Sequence, residues 1–227
     1  MTRASSRLGA LAVVLAAAAA PAPAVAAEVA WTDDLPYGLA WGMTLKQVLD
    51  AGIRVEYGKL QVEFGHEYLA FDLPPQLGDE DQVFLYFGYD DRLWRIAVHS
   101  RGYSDEGTGT ALVKRYDELK AALDARYGAG EEFLHLHDSA VAVPKRTVGT
   151  FQIGASWRFT EYRTPGEHIQ LGIRARNLWT GYIALYIKNL DMEPKAIADA
   201  EANAKTVAAG EETPFPAPHL SLEQDTD

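Results

Sequence analysis

The histidines His135 and His137 are the residues whose type and spacing first suggest chemistry. A strand over residues 132–137 would place both imidazoles on one face, where they could share a metal ion. No third ligand stands at a recognisable spacing, and histidines on a solvent-facing strand explain such a pair more simply. We therefore predict no metal and no cofactor, and metal capture by the two histidines stays open as an alternative.

Nucleophilic and phosphate chemistry find no support in the pattern. Ser156 lies inside a predicted strand without the glycine-flanked elbow of a hydrolase, and His66-Glu67 lacks the second histidine of a zinc peptidase. The glycines of residues 102–109 precede a helix, but Asp105 and Glu106 would repel phosphate, so this segment is predicted to be a linker with a threonine cap.

Acid and base catalysis by carboxylates remains an alternative, with Asp72 or Glu161 as examples of the residues that could act. A hydrolase of this kind needs two carboxyl groups about 5 to 10 Å apart in a cleft. The acidic stretches 79–81 and 90–91 lack the spacing of a calcium loop and are explained by solvated turns.

The first 27 residues predict an export signal. Arg3 and Arg7 precede an apolar stretch over residues 8–20, and Ala24-Val25-Ala26 offers a cleavage site. The apolar stretch is too short to span a bilayer. We therefore expect a periplasmic or secreted protein without membrane insertion, and without cysteine it has no disulfide, thiolate site or lipid anchor.

The charge of the chain excludes other classes of partner. The formal net charge is −11, and removal of the two signal arginines leaves 19 basic and 32 acidic residues, a charge of −13. Binding to nucleic acid needs clustered lysine and arginine, so no nucleic-acid partner is expected.

Hydrophobic periodicity predicts a helix followed by antiparallel strands, twice. Thr44 and Gln47 fit a capping box before a short helix, and strands are predicted at 55–64, 68–73, 83–89 and 93–99. A second helix is predicted at 110–127, followed by strands at 132–137 and 151–161 and by a hairpin of alternating residues around a turn at 177–181. This order indicates an α+β fold, an antiparallel sheet with helices packed on one face.

The predicted domain spans residues 28–190, with candidate halves at 37–103 and 108–190. Residues 191–227 differ in composition. An alanine-rich helix is predicted at 194–209, and an acidic tail with three prolines follows it.

The segment Trp41-Gly42-Met43-Thr44 before a helix resembles the opening of uncharacterised exported bacterial proteins. The similarity extends to the strand, Asp-Asp turn and Leu over residues 85–93, the helix end at 125–128 and the strand at 183–186. These proteins are similar in layout to small outer-membrane assembly lipoproteins and β-lactamase inhibitor proteins. The resemblance implies a binding or assembly role without catalysis, although the assembly lipoproteins carry a lipidated cysteine and this chain has none.

An aromatic and arginine-bearing sheet surface is the remaining candidate site. Tyr182 and Tyr186 alternate with predicted core residues, and Trp179 lies at the adjoining turn. On the preceding strand, Arg174 and Arg176 are predicted to face the opposite side of the sheet from Ile173. Tyrosine, tryptophan and arginine dominate the energetics of protein interfaces. A covering helix or C-terminal segment is the competing explanation of the same pattern.

The sequence thus favours an exported, non-catalytic binding or assembly module whose partner is another envelope protein. The alternative is the carboxylate hydrolase of the cell envelope.

Overall fold

The computed structural model describes residues 35–58, 65–74, 76–105, 107–143 and 147–209. Within them the chain forms nine strands and five α-helices. The strands are β1 (Arg54–Tyr57), β2 (His66–Phe71), β3 (Glu80–Phe87), β4 (Leu93–Ser100), β5 (Tyr103–Ser104), β6 (Glu131–His135), β7 (Trp157–Arg163), β8 (Glu167–Ala175) and β9 (Thr180–Asn189). The helices are α1 (Leu45–Asp50), α2 (Thr110–Tyr127), α3 (Asp138–Ala142), α4 (Thr147–Gln152) and α5 (Glu193–Ala208). The predicted signal segment, the acidic tail and the end of the strand predicted at 55–64 lie outside the described residues.

All nine strands belong to one antiparallel sheet in the order β1-β2-β3-β4-β9-β8-β7-β6, with the short β5 paired to β9. Strand β4 of the first helix-and-strand run and β9 of the second are neighbours in the middle, where Ile96 pairs with Ile187. The predicted α+β class with helices against an antiparallel sheet is confirmed.

Helix α1 begins with the predicted capping box. The Thr44 side chain accepts from the Gln47 backbone, and the Gln47 side chain accepts from the Thr44 backbone. Gly42 has a φ of +78°, which glycine adopts without strain, and its N–H donates to Leu93 in β4. The Trp-Gly-Met segment therefore fastens α1 to the sheet.

Helix α2 packs one stripe against the sheet, with Leu112, Tyr116, Leu119 and Leu123 all buried. The predicted threonine cap at its start is wrong. The carboxylate of Asp105 accepts from the N–H groups of Gly109 at 2.8 Å and Ala111 at 3.0 Å. Partial burial opposes ionisation of Asp105, but these backbone hydrogen bonds prevail and lower its pKa.

The core lies between the sheet and the face of α1 and α2. In β8 and β9 every second residue belongs to it, and none of these side chains is more than 4% exposed: Ile169, Leu171, Ile173, Ile183, Leu185 and Ile187. Because side chains alternate across a strand, the residues between them point to the opposite side of the sheet.

Two predicted strands differ from the structure. Residues 147–152 form α4, which places Val148 and Phe151 against the interior, whereas Ile153 is 72% exposed and β7 begins only at Trp157. Apolar residues three apart fit a helical turn as well as an alternating strand, and here the helix prevails. Strand β6 ends at His135, because His137 caps the start of α3.

Helix α5 matches the predicted alanine-rich helix. It lies against the β3–β4 turn, where Lys195 contacts Asp90 at 3.2 Å, and Ala196 is its only buried residue. Among the described helices, none is both long and apolar enough to cross a membrane.

Candidate binding face

The sheet has one surface that neither α1 nor α2 covers, which we call the open face. It comprises the outward side chains of the strands from β3 to β6: Phe84, Tyr86, Arg95, His99, Tyr182, Tyr186, Arg174, Phe159, Trp157 and Phe133. The predicted residues Tyr182 and Tyr186 lie on this face and are half-buried, and Arg174 beside them is exposed. The face extends across both helix-and-strand runs.

An aromatic cluster surrounds His99 in the middle of the open face. The His99 ring lies 5.0 Å from the ring of Tyr182, 5.1 Å from Phe84 and 6.1 Å from Tyr186. Small residues opposite the large ones make room for these rings. In the strand register, Ala184 is paired with His99 and Ala97 is paired with Tyr186. The large side chains therefore close over two alanines that are fully buried.

Arg95 lies between two tyrosines of this face. Its guanidinium carbon is 4.8 Å from the ring centre of Tyr86 and 5.0 Å from that of Tyr186. Such stacking fixes the plane of the guanidinium and leaves its N–H edge available. Within the described residues, neither Arg95 nor Arg174 forms an ion pair with a carboxylate, although most other basic side chains do.

The other predicted site residues lie at the β8–β9 end. Arg176 lies over the Tyr182 ring at 5.5 Å and pairs with Asp81 at 2.5 Å. Trp179 is 57% exposed in the turn, where the side chain of Asn177 accepts from its backbone N–H. The five predicted residues therefore lie along β8, β9 and their turn, from the edge of the open face at Trp179 to its middle at Tyr186.

Two stacked pairs continue the open face on β6 and β7. Phe133 stacks on Phe159 at 4.8 Å, and His135 stacks on Trp157 at 4.2 Å. The alternative of a metal ion shared by His135 and His137 gains no support, because β6 ends at His135 and the His137 ring accepts from the Ser139 backbone N–H. No group of three or more metal-ligating side chains occurs in the described part of the chain.

Burial controls the ionisation of His99. Desolvation, together with the positive charges of Arg176 and Arg174, lowers its pKa to about 4, and Asp81 opposes the shift. Its Nε2 atom is buried and has no hydrogen-bond partner among the described residues. The aromatic cluster therefore holds a neutral imidazole at neutral pH.

We expect this histidine to make stability depend on pH. The folded pKa is about 4 and the ordinary value is 6.5, so the unfolded state binds more protons between those values and stability falls as the pH drops through that window. The H99Q variant should lose less stability than the unmodified protein from pH 6.5 to 4, by on the order of 1–3 kcal/mol. Urea unfolding at a series of pH values measures this difference. The exposed histidine variant H135Q is the control, and parallel curves for H99Q and the unmodified protein would refute the assignment.

A small polar pocket, the Arg95 pocket, opens beside this cluster. It has a volume of about 230 Å³ and is lined by Trp94, Arg95, His168, Gln170, Tyr186, Lys188 and Glu193. Lys188 pairs with Glu193 of α5 at 2.7 Å, and His168 Nε2 lies 3.3 Å from the Glu161 carboxylate. Burial lowers the pKa of His168 more than Glu161 raises it.

The carboxylates proposed for catalysis do not meet. Asp72 follows β2 and pairs with Arg54 at 2.6 Å, whereas Glu161 on β7 contacts Arg163 at 3.2 Å. Four strands separate β2 from β7, which corresponds to about 24 Å at the spacing of adjacent strands. These two carboxylates therefore cannot act as an acid and base pair on one bond.

The remaining sequence candidates have structural partners. Ser156 is buried and accepts from the His137 backbone at 2.9 Å. His66 Nδ1 lies 3.4 Å from the Tyr57 hydroxyl, and burial lowers its pKa despite the nearby Asp91. A second groove, of about 390 Å³ beside α2, contains Asp79, but Arg115 binds both oxygens of that carboxylate.

Sequence reasoning missed Phe84, Tyr86, Arg95 and His99. They alternate with the core residues of the predicted β3–β4 hairpin, so their shared outward side was visible in the pattern. Their proximity to Tyr182 and Tyr186 depends on the β4–β9 pairing, which no local signal indicates. Comparison of the chain with protein-family models, with curated proteins and with solved structures found no match.

Proposed function

We propose that this chain is an exported protein without catalytic activity that binds another envelope protein through the open face. The observation that carries the proposal is the stacked Arg95 guanidinium, which has no carboxylate partner among the described residues and lies within a continuous surface of aromatic rings. Aromatic and arginine side chains supply most of the binding energy at protein interfaces, and rigid rings lose little entropy on binding.

The shape of the surface favours a macromolecule over a small substrate. The open face runs across six neighbouring strands, and the Arg95 pocket on it has a volume of about 230 Å³, below the usual range of small-molecule sites. Small-molecule sites are usually concave and enclose most of their ligand. An aromatic surface of this extent is better suited to a protein segment.

The charges around the face favour an acidic partner. Arg95, Arg174 and Arg176 lie on it in a chain whose formal net charge is −11, and only Arg176 has a described carboxylate partner. Arginines without a described carboxylate partner, on an otherwise acidic protein, attract a negatively charged partner and raise the rate of encounter with it. The predicted signal at residues 1–27 supports the location of this encounter in the cell envelope.

The test is capture from an envelope extract of the native host by immobilised protein comprising residues 28–227. The Y182A/Y186A variant, which removes two rings from the open face, should lose at least about tenfold of the captured partner, since hot-spot truncations cost about 2 kcal/mol or more. The control is Y127A, a tyrosine at the end of α2 away from this face. Equal capture by Y182A/Y186A and the unmodified protein, at matched melting temperatures, would overturn the proposal.

A further inference from the structure

The Arg95 pocket has the construction of a site for one planar anion. Its lining comes from three adjacent strands, with the buried Trp94 and Arg95 on β4, Tyr186 on β9, and His168 and Gln170 on β8. Lys188 and Glu193 lie at the end nearest α5. Strands β4, β9 and β8 are all inside the paired sheet, so the lining is held on a rigid framework.

The charges inside the pocket leave one positive charge uncompensated. Lys188 and Glu193 form an ion pair at 2.7 Å and cancel, and Glu161 next to the pocket pairs with Arg163 and accepts from the Gln170 amide at 3.2 Å. Arg95 has aromatic rings on its two sides but no carboxylate among the described residues. A guanidinium held in this way binds a carboxylate through two parallel N–H donors at little entropic cost.

The neighbouring acids decide which anion fits. Glu193 lines the pocket and Glu161 lies beside it, and their negative charges oppose a doubly charged phosphate more than a singly charged carboxylate. A single bidentate arginine matches one carboxylate.

We infer that the Arg95 pocket is a subsite for a carboxylate carried by the protein partner of the open face. This inference rests on the proposed function, because the pocket shares Tyr186 and Arg95 with that face. The acidic group would enter beside the His99 cluster while the rest of the partner segment covers the tyrosines.

The first arm of the test uses small probes and the unmodified protein with residues 28–227. Titration with N-acetylglutamate amide, followed by nuclear magnetic resonance, should shift the Trp94 indole N–H and the Gln170 side-chain amide to saturation. The neutral N-acetylglutamine amide should bind at least about tenfold more weakly, since a hydrogen-bonded charge pair contributes about 1.5–3 kcal/mol. Equal shifts from the two probes would overturn the inference.

The second arm uses variants. R95Q should abolish the carboxylate-dependent shifts, and R95K, which keeps the charge without the fork, should retain only part of the affinity. The control R54Q removes an exposed arginine of the edge strand β1, outside the open face and the pocket, and should leave the probe affinity unchanged. Binding that persists in R95Q, at an unchanged melting temperature, contradicts the inference.

The third arm separates this inference from the proposed function. The R95Q variant should also lower capture of the envelope partner by about tenfold relative to R54Q. If Y182A/Y186A abolishes capture while R95Q does not, the open face is the binding surface but the pocket holds no partner carboxylate. If R95Q abolishes binding of the glutamate probe and neither variant changes capture, the pocket takes a free carboxylate and the proposed function fails.

Discussion

Replacement of Arg115 by leucine is expected to lower the free energy of unfolding by about 3–5 kcal/mol, because it leaves a buried carboxylate without its charge partner. The Arg115 and Asp79 side chains are only 11% and 8% exposed, and their closest approach is 2.7 Å. Arg115 also donates to the Leu77 carbonyl, and Tyr103 donates to Asp79. The ion pair thus joins α2 to the loop before β3.

Urea denaturation of R115L and of K114L gives the matched comparison. Lys114 is the neighbouring residue of α2, but its side chain is 77% exposed and 3.9 Å from Glu118, so its loss should cost less than about 1 kcal/mol. The double variant D79L/R115L should recover part of the loss, because it removes both charges. A decrease of less than about 1 kcal/mol in the free energy of unfolding of R115L would contradict this prediction. It would show that water hydrates the Asp79 carboxylate when Arg115 is removed.

Gly181 gives the second large effect. It is the second residue of the central strand β9, and a Cβ placed there would lie 2.2 Å from the Leu112 methyl group and 3.2 Å from the Arg174 carbonyl oxygen. Leu112 is fully buried and has little room to move away. We expect G181V to destabilise the fold by about 3 kcal/mol, the upper end of the usual cost of overpacking.

The control for this substitution is G166A, in the turn between β7 and β8. No atom lies within 4 Å of a Cβ built at Gly166, so its replacement should change stability by less than about 0.5 kcal/mol. Thermal and urea unfolding of both variants measure the difference. The double variant G181V/L112A should be more stable than G181V if the clash with Leu112 is the cause. If the losses from the two substitutions add instead, the close contact with the Arg174 backbone carbonyl is the cause.

The alternation of apolar residues explains why much of the fold was predictable. Ile183, Leu185 and Ile187 repeat with a period of two, and the face of α2 from Leu112 to Leu123 repeats with a period near 3.6. Local chemistry placed the capping box at Thr44 in the same way. These features depend on residues close together in the chain, so the sequence contains the whole signal.

The missed features depend on contacts or on competing local signals. Phe151 and Ile153 alternate as in a strand, but Val148 and Phe151 are three residues apart and enter the interior from a helix. The sequence pattern predicts His137 in a strand, because histidine is an unusual helix cap and its contact with the Ser139 N–H has no recognisable sequence motif.

The candidate site was only half predictable for the same reason. Tyr182 and Tyr186 follow from the parity of β9 alone. Arg95 and His99 join them only because β4 and β9 pair across about 90 residues of sequence, and the length of that separation hides the pairing from any local pattern. The surface therefore became visible as one unit only in three dimensions.

The most direct measurement is site-specific photo-crosslinking in the envelope of the native host. A benzoylphenylalanine placed at Phe84 in the open face, or at exposed Trp179 on its edge, should form a covalent adduct with a specific protein. The same group at Lys114, which is exposed on α2, should form none. Adducts from position 114 together with none from positions 84 and 179 would contradict the assignment of partner binding to the open face.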